Sequence, residues 1–242
     1  MISKSEIKLI TSLQQKKYRN IHGLFIAEGK KIISDLVFSG VQLQSLFATE
    51  DVSEIAKNYQ PISENELKKI SVLKNANGVL AVFEIPNESA LETKGLQVVL
   101  DRVRDPGNLG TVIRLCDWFG VSQIICSRDT VDCYNPKVVQ ATMGSIARVS
   151  VHYKDLKAYL RESKLPIYTA VMKGANVYSE VLPKNALLVM GNEAQGVSEE
   201  IMQLANHQIT IPNFSKNRAA ESLNVAMATG ILLSEFRRTT ET

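Results

Sequence analysis

Three short polar clusters in this chain each follow a strongly apolar, strand-like run. Asp105-Pro-Gly-Asn108-Leu-Gly110 follows LQVVLD, with Arg114 one helical turn beyond Gly110. Gly191-Asn-Glu193-Ala-Gln-Gly196 grows out of ALLVMG, whose last strand-like residue is Met190. Ile209-Thr-Ile211-Pro212-Asn213 leads through Lys216, Asn217 and Arg218 to Ser222-Leu223-Asn224-Val225. The three histidines, His22, His152 and His207, fall in none of these clusters, which argues against imidazole acid–base catalysis and against a hydrolase triad. Cys116, Cys126 and Cys133 form no CxxC pair and accompany no histidine, so buried thiols in a reducing compartment are expected and a metal site is not. Neither GxxxxGK[ST] nor GxGxxG occurs, which excludes a phosphate loop of that type and weighs against an ordinary Rossmann dinucleotide site. What remains is binding by backbone and amide groups, with one arginine and one glutamate.

Each cluster also has a plain structural alternative. Val112, Leu115, Cys116 and Phe119 give a helix over 108–119 its core stripe, and Arg114 lies about 150° from the centre of that stripe. An exposed arginine paired with Asp117 would look the same. Against that stand Gly110, costly inside a helix unless something approaches closely, and Ile113 and Trp118, which suggest a second covered face, as another subunit would provide. The segment 191–196 reads equally as an ordinary strand-to-helix loop. Ser222 could simply cap the helix expected over 222–237. Asn224 is harder to dismiss, because that helix is apolar all round and an unpaired buried amide costs roughly 1–3 kcal/mol.

The elements that must position these clusters alternate between strand and helix. The first half reads as a helix over 5–18, a strand over 24–28, a helix over 29–38, a strand over 43–48, helices over 51–59 and 64–70, and a strand over 78–85. That is a small three-layer α/β domain. A polar, turn-rich stretch from Pro86 to Gly95 places a boundary near residue 90, giving domains of 1–90 and 91–242. The second half predicts strands over 97–101, 123–127, 149–152, 167–172, 186–190 and 207–211. Helices are predicted over 108–119, 136–146, 154–163, 198–205 and 222–237. This is a mostly parallel sheet covered on both faces, with the three clusters at the carboxyl ends of its strands, where ligands collect.

Net charge is +3, but residues 1–31 carry seven Lys/Arg against two Glu, or +5, leaving −2 for the remainder. A basic face on the first helix, with Lys16, Lys17 and Arg19, and the turn around Lys30 suit a polyanion, although a solvated helix face would have the same composition. No apolar run reaches membrane-spanning length and no signal-peptide core is present, so a soluble cytoplasmic chain without a membrane partner is expected.

Taken together, Asn108-x-Gly110-x-x-x-Arg114, Gly191-x-Glu193-x-x-Gly196, and Ile211-Pro212 with Ser222-Leu-Asn-Val resemble the three motifs of the SpoU/TrmH-type RNA ribose 2′-O-methyltransferases of the SPOUT superfamily. Arg19…Gly23-Leu-Phe-Ile-Ala-Glu28-Gly is similar to that family's α/β/α substrate-binding domain, which is related to ribosomal RNA-binding proteins. One departure is Ala226, where many members have serine. The resemblance implies a C-terminal SPOUT α/β fold tied in a deep trefoil knot, against the general rule for protein chains. It implies S-adenosylmethionine as cofactor, S-adenosylhomocysteine as product and no metal. Contacts to the cofactor would fall to Met190, Gly191, Gly196, Ile211, Pro212, Leu223 and Asn224, and the catalytic set would be Arg114, Asn108, Glu193, Ser222 and Asn224. The implied partners are RNA, ribosomal (23S) RNA ahead of tRNA, and a second copy of the chain through the catalytic domain. A tRNA methyltransferase of the same family, a non-catalytic RNA-binding homologue and an unrelated nucleotide-binding enzyme are the competing readings.

Overall fold

The computed structural model describes residues 1–215 and 222–238; Lys216, Asn217 and Arg218 lie outside them. In chain order the elements begin with α1 (Lys4–Ser12), α2 (Lys16–His22), β1 (Leu24–Glu28), α3 (Lys30–Phe38), β2 (Leu43–Ala48), β3 (Gln60–Pro61), α4 (Glu64–Ile70) and β4 (Val79–Glu84). Then follow β5 (Leu96–Leu100), α5 (Pro106–Trp118), β6 (Gln123–Ser127), α6 (Pro136–Thr142), β7 (Ser150–Lys154) and α7 (Leu156–Glu162). β8 (Ile167–Asn176), β9 (Ala186–Met190), α8 (Glu199–Met202), β10 (His207–Thr210) and α9 (Val225–Arg238) complete the chain. Two units result: Met1–Glu88 with Asp132–Arg148, and Ser89–Val131 with Val149–Thr242. The chain passes between them near residue 90, and twice more around the segment that carries α6.

In the first unit the strands lie in the order β1-β4-β2-β3, antiparallel except that β3 runs parallel to β2. Side chains alternate between its faces. Phe25, Ala27, Ala81 and Phe83 pack with Ile32, Ile33 and Leu36 of α3 and with Val139 of α6. Ile26, Leu80 and Val82 pack with Ile10 of α1 and with Leu67 and Ile70 of α4. This is the expected helix–sheet–helix sandwich.

Three local expectations change, each for a local reason. The helix expected over 5–18 divides, because Arg19 Nη1 donates to the carbonyls of Leu13 (2.8 Å) and Gln14 (3.0 Å), the loose acceptors at the end of α1. Arg19 is therefore not on a wet basic face beside Lys16 and Lys17; it is 1% exposed, and its Nε donates to Asp132 Oδ2 at 2.9 Å. No helix forms over 51–59, because Asp51 Oδ1 captures the Ser53 amide (2.9 Å) in an Asx turn. The helix expected to reach 146 stops at Thr142, where Met143 turns left-handed (φ 51°).

The second unit holds a six-stranded, all-parallel sheet in the order β10-β8-β9-β5-β6-β7. β5 and β9 are buried at every position, as central parallel strands must be. Leu156 and Leu160 of α7 and Ile201 of α8 cover one face through Val99, Ile125, Leu187 and Val189. The alternating residues Val98, Ile124 and Leu188 are fully buried on the other. From β5 the chain runs outward through β6 and β7, then fills the opposite side with β8, β9 and β10. The sheet's switch point therefore falls between β5 and β9.

α5 and α9 pack together, and Arg237 fastens them: its Nε donates to the Phe119 carbonyl (2.6 Å) and its Nη2 to that of Gly120 (2.7 Å). Val112 and Cys116 are buried as expected, and so are Leu109, Gly110 and Ile113; Ile113 belongs to this unit's own core rather than to a second face. Trp118 stays 84% exposed. α9 begins at Val225 rather than at residue 222, and it is not dry all round, since Met227 is 67% exposed. Among the described residues no helix is long and apolar enough to cross a membrane.

Candidate active site

The loop after β9 is closed by two mutual backbone bonds, Asn192 N to Gly196 O (3.0 Å) and Gly196 N to Asn192 O (2.9 Å). Gly191 makes that closure possible. A Cβ on it would stand 2.2 Å from both Gly196 C and Val197 N. Gly196 has φ +69°, the left-handed region that glycine enters without strain. The Asn192 side chain stiffens the turn, its Oδ1 accepting from the amides of Ala194 (3.0 Å) and Gln195 (3.1 Å).

α5 starts cleanly. Pro106 occupies its first turn and Asp105 Oδ1 accepts from the Asn108 amide at 2.8 Å, an N-cap. The Asn108 side chain is thereby left for longer-range partners. Its Nδ2 donates to Glu193 Oε1 (2.8 Å), and its Oδ1 accepts from Asn224 Nδ2 (2.9 Å). A carboxylate only accepts, so Asn108 must turn its NH2 towards Glu193 and its oxygen towards Asn224. Asn224 Oδ1 in turn caps α9 by accepting from the amides of Ala226 (2.9 Å) and Met227 (3.2 Å). One hydrogen-bonded row, Glu193–Asn108–Asn224, joins all three clusters of the sequence. Asn224 is not the buried amide expected from the wheel; it is exposed, and it, not Ser222, caps the helix.

Beside the row, a cavity of about 670 Å3 opens at the carboxyl ends of β8, β9 and β10. Met190, Gly191, Gly196, Ile211, Pro212 and Leu223 all contribute to its wall, and so do Ser222 and Glu193. Met172, Val197, Ile209 and Leu232 make much of it apolar, and the volume falls in the range of cofactor sites. Neither Asn224 nor Asn108 belongs to the wall; the row meets the cavity at Glu193. Arg114 does not belong to it either. It is exposed and carries no hydrogen bond or ion pair among the described residues, so Asp117 is not its partner. Burial pushes the Cys116 thiol far above its ordinary value, which disqualifies it as a nucleophile. Among the described residues no group of His, Cys, Asp or Glu is arranged to hold a metal ion.

The sequence reading passed over the residues that fasten the 191–198 loop to the rest of the site. Asp101, 3% exposed at the end of β5, accepts from the Ser198 amide (2.7 Å), and the Arg102 carbonyl accepts from Asn192 Nδ2 (2.8 Å). The only sign of them in the sequence was a charged pair ending an otherwise apolar strand.

A cofactor-sized cavity at the carboxyl ends of parallel strands, rimmed by amides and one carboxylate, is the arrangement of an α/β enzyme with a cofactor site. Residues 95–234 match the SpoU rRNA Methylase family, and residues 4–81 match the MRM3-like substrate binding domain. The chain belongs to the SpoU rRNA methylase family. It is 27% identical, over 96% of both chains, to the 23S rRNA (guanosine(2553)-2′-O)-methyltransferase RlmP of Bacillus subtilis. An AdoMet-bound rRNA methyltransferase from Sinorhizobium meliloti matches with a TM-score of 0.87 and 31% identity, covering 98% of this chain and 97% of that one. The SpoU methyltransferase AviRb from Streptomyces viridochromogenes, in complex with AdoMet, shares the fold with a TM-score of 0.86 at 22% identity, covering 99% of both chains.

Proposed function

We propose that this chain transfers a methyl group from S-adenosylmethionine to a ribose 2′-OH of structured RNA, with 23S ribosomal RNA preferred to tRNA. The observation that carries the reading is the Glu193–Asn108–Asn224 row, set beside a cavity of about 670 Å3. The cavity suits the donor: apolar side chains for a nucleobase, and the backbone of the 191–196 and 211–213 loops for polar groups. The donor, when bound, supplies an electrophilic sulfonium methyl.

The chain's own residues supply position. Asn108 has one N–H and one lone pair left for a ribose, while its engaged half holds Glu193 and Asn224 in place. Ser222, on the cavity wall, orders the mouth of the site. Fixing the hydroxyl in line with the methyl contributes up to about 7–11 kcal/mol of the barrier in favourable cases. Arg114 clamps the neighbouring phosphate and stabilises the developing alkoxide; a delocalised, positively charged guanidinium is a poor base. Arg114 shares a helix face with Trp118, four residues on, and that exposed indole supports a homodimer through the catalytic domain. In this reading residues 1–90 carry the RNA-binding role and 91–242 the catalytic one, and membership of the family supports a knot in the latter. A cytoplasmic location belongs to the same proposal.

Mapping of 2′-O-methyl groups in rRNA and tRNA, in a deletion strain and in the same strain complemented, tests the reading. One ribosomal position should lose its methyl and regain it. If no ribose position changes while the purified chain binds both RNA and donor, the protein is an RNA-binding homologue and not this enzyme.

A further inference from the structure

Arg102 lies between β5 and α5 with φ of 59°, a conformation that side chains of L-residues avoid and that collects at functional sites. Four hydrogen bonds hold it there. Its amide donates to Ser127 Oγ (2.9 Å), and its carbonyl accepts from Asn192 Nδ2 (2.8 Å). Its Nε donates to Asp101 Oδ1 (3.2 Å) and its Nη1 to Gln195 Oε1 (3.3 Å). Asp101 uses its other oxygen to accept from the Ser198 amide (2.7 Å). Two consecutive residues thus grip the 191–198 loop at its beginning, middle and end. Letting φ relax would swing the carbonyl away from Asn192, so the strained backbone and the guanidinium fork depend on each other.

We propose that Arg102 is a positioning residue of the donor site, which sets the 191–198 loop before S-adenosylmethionine arrives and so presents Glu193 to Asn108. The proposal rests on the reading of the cavity as the donor site. With two of its N–H groups committed to Asp101 and Gln195, the guanidinium is engaged inward, unlike that of Arg114. Preorganising a loop acts on affinity by removing the cost of ordering it. Loss of Arg102 therefore falls on donor binding before it falls on RNA binding.

Calorimetric titration of the full chain with S-adenosylmethionine, together with methylation kinetics, tests this on R102A, R102K, Q195A and the R102A/Q195A pair. R102A should raise the donor Kd and KM about tenfold, the scale of losing a hydrogen bond to a charged group. Its kcat at saturating donor should fall no more than about threefold, and its KM for RNA should move less than about twofold. R102K keeps the charge without the fork and should recover less than half of the loss. The double variant should bind donor no worse than R102A alone, because the two side chains act as one unit. If R102A is poorly folded, R102K and Q195A carry the same comparison. Wild-type affinity in R102A, strict additivity in the double variant, or a rise confined to the RNA KM would each overturn the proposal and leave the donor-site reading standing. A wild-type chain that binds no donor would remove that reading, and this proposal with it.

Discussion

Two glycines five residues apart in one loop should fail for different reasons when given a methyl group. In Gly191→Ala the new Cβ meets backbone atoms at 2.2 Å, against 3.4 Å for ordinary contact, so the loop must open by about 1.2 Å. Backbone cannot rotate aside as a flexible side chain would. Opening breaks the paired Asn192–Gly196 bonds, each worth about 1 kcal/mol net, and adds the strain that remains, for about 2–4 kcal/mol against the closed loop. If donor binding needs the closed loop, affinity should fall roughly 30- to 1,000-fold, at about 1.4 kcal/mol per tenfold. In Gly196→Ala nothing lies within 4 Å of the new Cβ, and only the left-handed φ of +69° resists, at about 1 kcal/mol or a little more. Calorimetry with S-adenosylmethionine should therefore rank Gly191→Ala roughly 5- to 140-fold below Gly196→Ala, with both variants folded by circular dichroism. Binding by Gly191→Ala within threefold of wild type would show that the loop is not the floor of the donor site. Equal losses in the two variants would show that conformational freedom, not close approach, explains both glycines.

Arg114→Ala should slow single-turnover methylation severely while leaving donor affinity and thermal stability nearly unchanged, and Arg114→Lys should rescue little; turnover within about threefold of wild type would make Arg114 an ordinary surface residue. Arg19→Ala leaves Asp132 without its cation and should lower unfolding stability by roughly 3–5 kcal/mol in denaturant titrations, whereas Lys16→Ala with Lys17→Ala should spare stability and flatten the salt dependence of RNA binding. An unchanged salt slope would place the RNA surface elsewhere. Glu66 accepts from the amides of Ser63 and Ile2, which hold its carboxyl at about 2, below the ordinary 4.5. Its stabilising effect is thus present above pH 4.5 and fades as pH falls towards 2, and Glu66→Gln should flatten the melting temperature across that window. A wild-type acid slope in Glu66→Gln would refute the assignment.

The clusters were legible because apolar strands end abruptly in glycine and asparagine, and that signal is local. So was the alternation of strands and helices in both halves. Two things were not local. Arg19 reads as a wet cation on a helical wheel, since its partner Asp132 is 113 residues away in the chain. Asn224 looked like a buried orphan because its helix is apolar on every side, whereas in the fold Met227 faces water and the asparagine sits at the cap. Over 51–59 a helix was expected, and Val52 and Ile55 are buried there, but a single aspartate side chain competing for the Ser53 amide was enough to prevent the helix. The grip of Asp101 and Arg102 on the far loop follows from β5 and β9 being neighbours, a pairing that no window of sequence contains.

The return of residues 132–148 to the first unit has a consequence for synthesis. Val139 fills part of the core around Phe25 and Phe83, and Asp132 neutralises Arg19. None of these partners exists when residue 88 leaves the ribosome. At roughly 5–20 residues per second, the amino-terminal sandwich waits roughly 3–12 s with one side of its core open and a cation unmatched, while β5, α5 and β6 are made. It cannot be the finished first module of a nascent chain, and a gene cut at residue 90 would leave the first product without the segment that closes its core and the second carrying that segment unpaired.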